Sequence, residues 1–121
     1  FTIEGSGGPI TLTPFEVDHG SIDALGFRIG RVAYLPDVIR IPEASWAHLQ
    51  GLDCWILDAL RRTPHPTHAH LDLALEWIAK AQPKEAVLTN MHIDLDHDIV
   101  AAETPDHIRP AYDGMVLRYA L

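Results

Sequence analysis

The chain carries two rhythms of apolar and polar positions, and one gives way to the other near its middle. In the first half, Ile10, Leu12, Phe15 and Val17 predict a strand ending at Asp18-His19-Gly20, with Pro14 marking an edge or a bulge. Ala24 to Ile29 and Val32 to Leu35 read as two further strands joined by a hairpin at Gly30-Arg31. Pro42 then sits where its missing N–H costs a helix nothing, and Pro42 to Leu49 reads as a short helix stopped by Gly51. Asp53 to Ala59 is a nearly unbroken apolar run, the pattern of a strand buried on both faces. In the second half the period lengthens. Leu71, Ala74, Leu75, Ile78 and Ala81 recur at helical spacing until Pro83. Glu85 to Thr89 predicts another buried strand, Asp94 to Glu103 a helix with acids in its first turn, and Met115 to Tyr119 a closing strand after the Asp113-Gly114 turn. An antiparallel start followed by alternating strands and helices predicts an α/β fold, a mixed sheet flanked by helices.

Length and charge narrow the possibilities. With 121 residues there is room for one core, so residues 1–121 read as a single partial domain. The net charge of −8 disfavours a stable nucleic-acid complex, since nine basic residues face seventeen acidic ones. No apolar run is long enough to span a membrane and the first residues do not form a signal peptide. One cysteine, Cys54, excludes an internal disulfide, and a cytoplasmic location is the expectation. Eight histidines in so short a chain are the surplus that calls for an explanation.

Ligands of open α/β sheets sit beyond the carboxyl ends of the strands. Three polar residues fall at such ends: His19, Asp37 and His92. Imidazoles with a carboxylate suit a divalent metal, and as a set these three favour metal binding over simple strand capping. His68-x-His70-x-Asp72 imitates part of an H-x-H-x-D-H zinc motif, yet Leu73 holds the last position and no apolar strand precedes it. Asp94 and Asp96 read as a helix N-terminal acidic cluster. Arg61 and Arg62 are surface charges near enough to the histidine loop to be candidate phosphate contacts. Trp46, Trp55, Trp77 and Cys54 read as packing residues.

Val17-Asp18-His19-Gly20, Ala33-Tyr34-Leu35-Pro36-Asp37, His65-Pro66-Thr67-His68, Leu88-Thr89-Asn90-Met91-His92-Ile93-Asp94-Leu95-Asp96 and Tyr112-Asp113-Gly114-Met115 follow one another in this order. Taken together they resemble the C-terminal half of a metallo-β-lactamase-fold hydrolase. The branch they resemble most holds the phosphodiesterase of the carbon–phosphorus lyase pathway and is related to tRNA 3′-processing endonucleases. The resemblance implies half of an αββα sandwich and a centre of two divalent ions, zinc or manganese, acting on a small phosphodiester or nucleotide-like substrate. It makes His19 a metal ligand, Asp37 the carboxylate shared by both metals, and His68 a catalytic proton donor beside the substrate phosphate. Relatives place a histidine where this chain has Asn90; His92, two positions on and on the same face of an extended segment, is the expected replacement.

The family's H-x-H-x-D-H motif is absent from the 18 residues before His19. The expectation is therefore a C-terminal part of a longer metal-dependent hydrolase, inactive by itself and poorly occupied by metal. Such a half would expose its inner sheet face and self-associate through it. The alternative is a non-catalytic small α/β binding or regulatory module.

Overall fold

A computed structural model describes residues 1–121. Its centre is a six-stranded sheet formed by β3 (Thr13–His19), β4 (Ile22–Ile29), β5 (Val32–Leu35), β6 (Cys54–Asp58), β7 (Glu85–Thr89) and β8 (Ile108–Pro110), lying side by side in that order. The first three strands pair antiparallel and the rest parallel, so the sheet is mixed. A two-stranded ribbon, β1 (Thr2–Ile3) with β2 (Ile10–Thr11), stands apart from it. The expected first strand is thus divided: Leu12 separates β2 from β3, and the two stretches join different sheets.

Strand parity decides which side is the core. Phe15, Val17, Ala33, Leu35, Trp55, Leu57, Ala86, Leu88 and Ile108 project from one face into a single buried cluster. Two helices, α1 (Leu71–Ala81) and α2 (His97–Glu103), contribute to the same cluster, the first through Leu71, Ala74, Ile78 and Ala81 at helical spacing. Gln82 ends α1 in the left-handed region at φ 50°, its N–H bonded to the Ile78 carbonyl, and Pro83 bars continuation. The segment Glu43–Leu49 forms the short helix expected there, as a 3-10 helix, tighter than an α-helix. It is pinned by Ser45, whose hydroxyl donates to the Glu16 carbonyl (2.6 Å), and by Trp46, which meets Trp55 edge-on at 6.3 Å.

The opposite face is more open. Leu25 and Tyr34 are exposed there, and Ile29, Val32 and Ile56 border an apolar hollow of about 300 Å³. The last residues lie against this hollow through Leu117, Tyr119 and Leu121. Met115 to Tyr119 was expected to close the sheet, but it pairs with no strand. Its two-residue alternation places side chains on the sheet's face, and the ladder position beside β7 belongs to β8. Pro110 fits β8 because an edge strand can spare an N–H. No helix is long and apolar enough to cross a membrane.

Candidate metal centre

Three chain segments converge beyond the carboxyl ends of β3, β5 and β6. The first ends in His19, where Gly20 turns the chain at φ +79°. A Cβ on Gly20 would stand 2.5 Å from the Thr67 methyl, so glycine is what lets the loop carrying His68 approach the end of β3. Across that contact His19 Nδ1 lies 2.6 Å from the Thr67 carbonyl. A carbonyl can only accept, which puts the proton on Nδ1 and leaves the Nε2 lone pair of the neutral ring free.

The second segment follows β5. Ile39 N–H donates to the Asp18 carbonyl at 2.8 Å, and Asp18 N–H donates to the Arg40 carbonyl at 2.9 Å. This bridge, with the Arg40–Asp18 ion pair beside it, ties the loop carrying Asp37 to the residue before His19. The third segment, residues 59–70, is closed by Leu60 N–H on the Ala69 carbonyl and Leu71 N–H on the Arg61 carbonyl, both at 2.9 Å. Arg61 braces it from within by donating to the carbonyls of Thr63 and Pro64. Arg62 is held by Glu103 through two 2.9 Å bonds. Both arginines therefore have partners within the chain.

The outcome is a group in which His19, Asp37 and His68 each offer a ligand atom, all lying within 4.8 Å of one another. The His19 and His68 rings meet at 4.6 Å between centroids and 78° between planes. Asp37 is half exposed, its carboxylate 3.8 Å from His68 Nδ1. Two imidazoles and a carboxylate with a free oxygen are a donor set that suits a divalent ion.

Asp58 went unnoticed in the sequence and underlies the whole arrangement. It ends β6 and is completely buried. One of its oxygens accepts from His68 Nδ1 at 2.8 Å and from Val38 N–H at 3.2 Å, and the Asn90 amide reaches the other at 3.4 Å. One carboxylate thus orients the His68 ring and fixes the backbone next to Asp37. Burial pushes the Asp58 carboxyl up, and the bonds from His68, Val38 and Asn90 work against that rise. Its signal was available: the one charged residue closing an otherwise apolar strand, at the same strand ends that had singled out His19 and Asp37. Beside it, His65 accepts from Thr67 N–H at 3.2 Å, and its pKa is lowered by desolvation and then by the charges of Arg61, His68 and His19.

His92 is not part of the group. Its ring is more than half exposed and pairs with Asp94 at 3.0 Å, while its backbone N–H bonds the Leu60 carbonyl at 2.7 Å. Asn90 occupies the strand end instead, at φ 62°, and its amide also reaches the Pro36 carbonyl at 3.3 Å. Asp96 accepts from Ile99 N–H at 3.0 Å and caps α2, the helix-terminal role read from its position. His48 stacks on Phe15 at 5.3 Å, a packing role.

A mixed sheet covered by helices, with histidine and aspartate gathered at its strand ends, places the chain in the metallo-β-lactamase class. Residues 1–93 match the β-lactamase superfamily domain, and the chain belongs to that family. It is similar to a structure described as a new diphosphatase from the PhnP family, with 39% identity and a TM-score of 0.91, covering 99% of this chain and 47% of that one. Human tRNase Z, short form, shares the fold at 18% identity and a TM-score of 0.71, covering 93% of this chain and 43% of that one. So does Zn²⁺-bound PqqB from Methylobacterium extorquens, at 17% and 0.69, covering 98% of this chain and 53% of that one. The chain thus spans about half the length of these structures. No curated protein matches it.

Proposed function

We propose that the chain carries part of the centre of a divalent-metal-dependent hydrolase acting on phosphodiesters. The observation behind this reading is the His19, Asp37 and His68 group, with its donor atoms within 4.8 Å, in a chain of the β-lactamase superfamily. Its likeness to a PhnP-family diphosphatase favours a phosphorus ester over other substrates. His19 and Asp37 would hold a divalent ion, zinc or manganese. Such an ion would supply Lewis acidity toward a phosphoryl oxygen and offset the charge that builds up there.

The chain's own residues do the positioning and proton handling. His19 keeps its lone pair inward because Nδ1 is committed to Thr67. Asp58 holds His68 through Nδ1, which leaves Nε2 to carry the proton that passes to the departing ester oxygen. Asp58 takes no part in the bond breaking; it holds the imidazole in one tautomer and one orientation. With only His19 and Asp37 as ligands, the 121-residue chain alone should bind metal weakly and be inactive. His92 has no role in this reading, being engaged with Asp94 at the surface.

The test is turnover of bis(p-nitrophenyl) phosphate, with Mn²⁺ or Zn²⁺ added, by the protein that carries this chain. His68→Ala should lower kcat by about 10²–10⁴-fold, the usual worth of a positioned proton donor. An unchanged kcat would remove His68 from the chemistry.

A further inference from the structure

The open face of the sheet is not bare throughout. Strand parity turns Val32 of β5, Cys54 and Ile56 of β6, and Glu85 and Val87 of β7 toward it. Cys54 and Val87 are buried there, at 0% and 2% exposure, yet neither belongs to the cluster on the helix side. Their cover comes from residues 116–121, which lay Leu117, Tyr119 and Leu121 against this face.

That cover is held lightly. No backbone N–H or carbonyl of residues 116–121 bonds another part of the backbone. A hollow of about 300 Å³ remains between Leu117, Tyr119 and Leu121 on one side and Ile29, Val32 and Ile56 on the other. A segment that forms no ladder and packs loosely loses little when it lifts.

One polar contact fastens it. The Tyr119 hydroxyl donates to one oxygen of Glu85, and Arg109 of β8 donates to the other. Arg109 belongs to the sheet, so Glu85 stays aimed while Tyr119 comes and goes. Tyr119 also meets the Cys54 thiol, which burial pushes up and keeps inert while it is covered. These groups sit at the amino ends of β6 and β7, the end of the sheet away from His19 and Asp37.

We propose that residues 116–121 are a strap that lifts from the sheet and closes on it again while the rest of the fold stays intact, with the Tyr119–Glu85 bond as its latch. Closed, the strap covers an apolar stripe that includes Ile56 and Val87. Lifted, it presents that stripe to solvent and opens a path to the Cys54 thiol. The latch thus sets how much apolar surface the chain shows, and it does so independently of the phosphodiester reading above.

The test follows alkylation of Cys54, the one thiol of the chain, by iodoacetamide, read by mass spectrometry. A strap that lifts by itself exposes little surface, so the labelling rate should stay flat in urea well below the unfolding transition. Tyr119→Phe keeps the ring and removes the hydroxyl, and should speed labelling about tenfold, the scale of one hydrogen bond to a charged acceptor. Glu85→Gln weakens the same bond from the other side and should speed labelling too. Ile78→Val removes a methyl group from the helix side of the core and lowers overall stability, yet it should leave the rate within about twofold of wild type. A wild-type rate that climbs steeply from the lowest urea concentrations would overturn the inference, since Cys54 would then be reached only by global unfolding. Equal acceleration by Tyr119→Phe and Ile78→Val, or none by Tyr119→Phe and Glu85→Gln, would overturn it as well.

Discussion

Two stretches of this chain look alike on paper and differ in space. His65 to His70 with Asp72, and His92 to Asp98, are each dense in histidine and aspartate. The first contributes His68 to a three-residue group braced by a completely buried carboxylate. The second spreads its side chains over the surface as local pairs, His92 with Asp94 and His97 with Asp98. What separates them is support from elsewhere in the fold. His68 meets Asp58, ten residues earlier, and its loop meets Gly20 and His19 across the end of the sheet. The side-chain hydrogen bonds of His92 and His97 reach only one or two residues along the chain. A site needs its side chains held by distant parts of the chain, and density of ligand types along the sequence does not supply that.

Substitutions can break this contrast, and the largest effect belongs to the ligands. Asp37→Ala should lower Zn²⁺ affinity by more than the ~10–100-fold typical of losing a supporting partner, whereas His92→Ala should leave it within threefold of wild type, an allowance of about 0.7 kcal/mol. Calorimetric titration of both variants decides the matter.

Asp58→Ala comes next and acts in two ways. It should cost about 1–3 kcal/mol in denaturant unfolding, because Val38 N–H loses its buried partner. It should also lower metal affinity by about 10–100-fold, because the backbone beside Asp37 loses its anchor. Asp58→Asn, which keeps the shape, should fold better yet still weaken metal binding.

Asp96→Ala, in the surface stretch, should cost only about 1 kcal/mol through the lost helix cap and leave metal binding intact. The smallest effect lies far from either stretch, at Glu85. The Tyr119 hydroxyl, and after it Arg109, holds the Glu85 carboxyl below its ordinary value of 4.5. A depressed carboxyl stabilises the fold above its unfolded pKa, and that contribution fades as the pH falls through the folded value. Melting temperatures taken from neutral pH downward should therefore fall less steeply below 4.5 in Glu85→Gln than in wild type.

The difference between the two stretches also marks what could be read from sequence. The buried strands were legible because Cys54 to Leu57 and Ala86 to Leu88 are apolar without interruption, and α1 because its apolar spacing admits no other element. Pro83 marked where α1 stops. His19 and Asp37 stood out because each follows an apolar strand directly. The role of Asp58 was hidden, since an acid ending a strand looks the same whether it is solvated or buried under three hydrogen bonds. His92 was chosen by its two-residue offset from Asn90, which assumes that the strand continues. Asn90 at φ 62° leaves the extended region, and the segment beyond it turns away. The strand expected from Met115 to Tyr119 failed for a related reason. Alternation records which side chains are covered, and a segment lying on a sheet's face alternates as a paired strand does.

The most direct measurement is the response of the imidazole nitrogens to Zn²⁺, read by ¹⁵N NMR on the 121-residue chain. The account predicts that Nε2 of His19 takes the large shift of a ligating nitrogen as the first ion binds and that His68 responds as its unligated neighbour, while both Nδ1 atoms keep their protons and His92 and His97 stay unchanged. Early shifts at His92 or His97, with His19 and His68 unmoved, would contradict it.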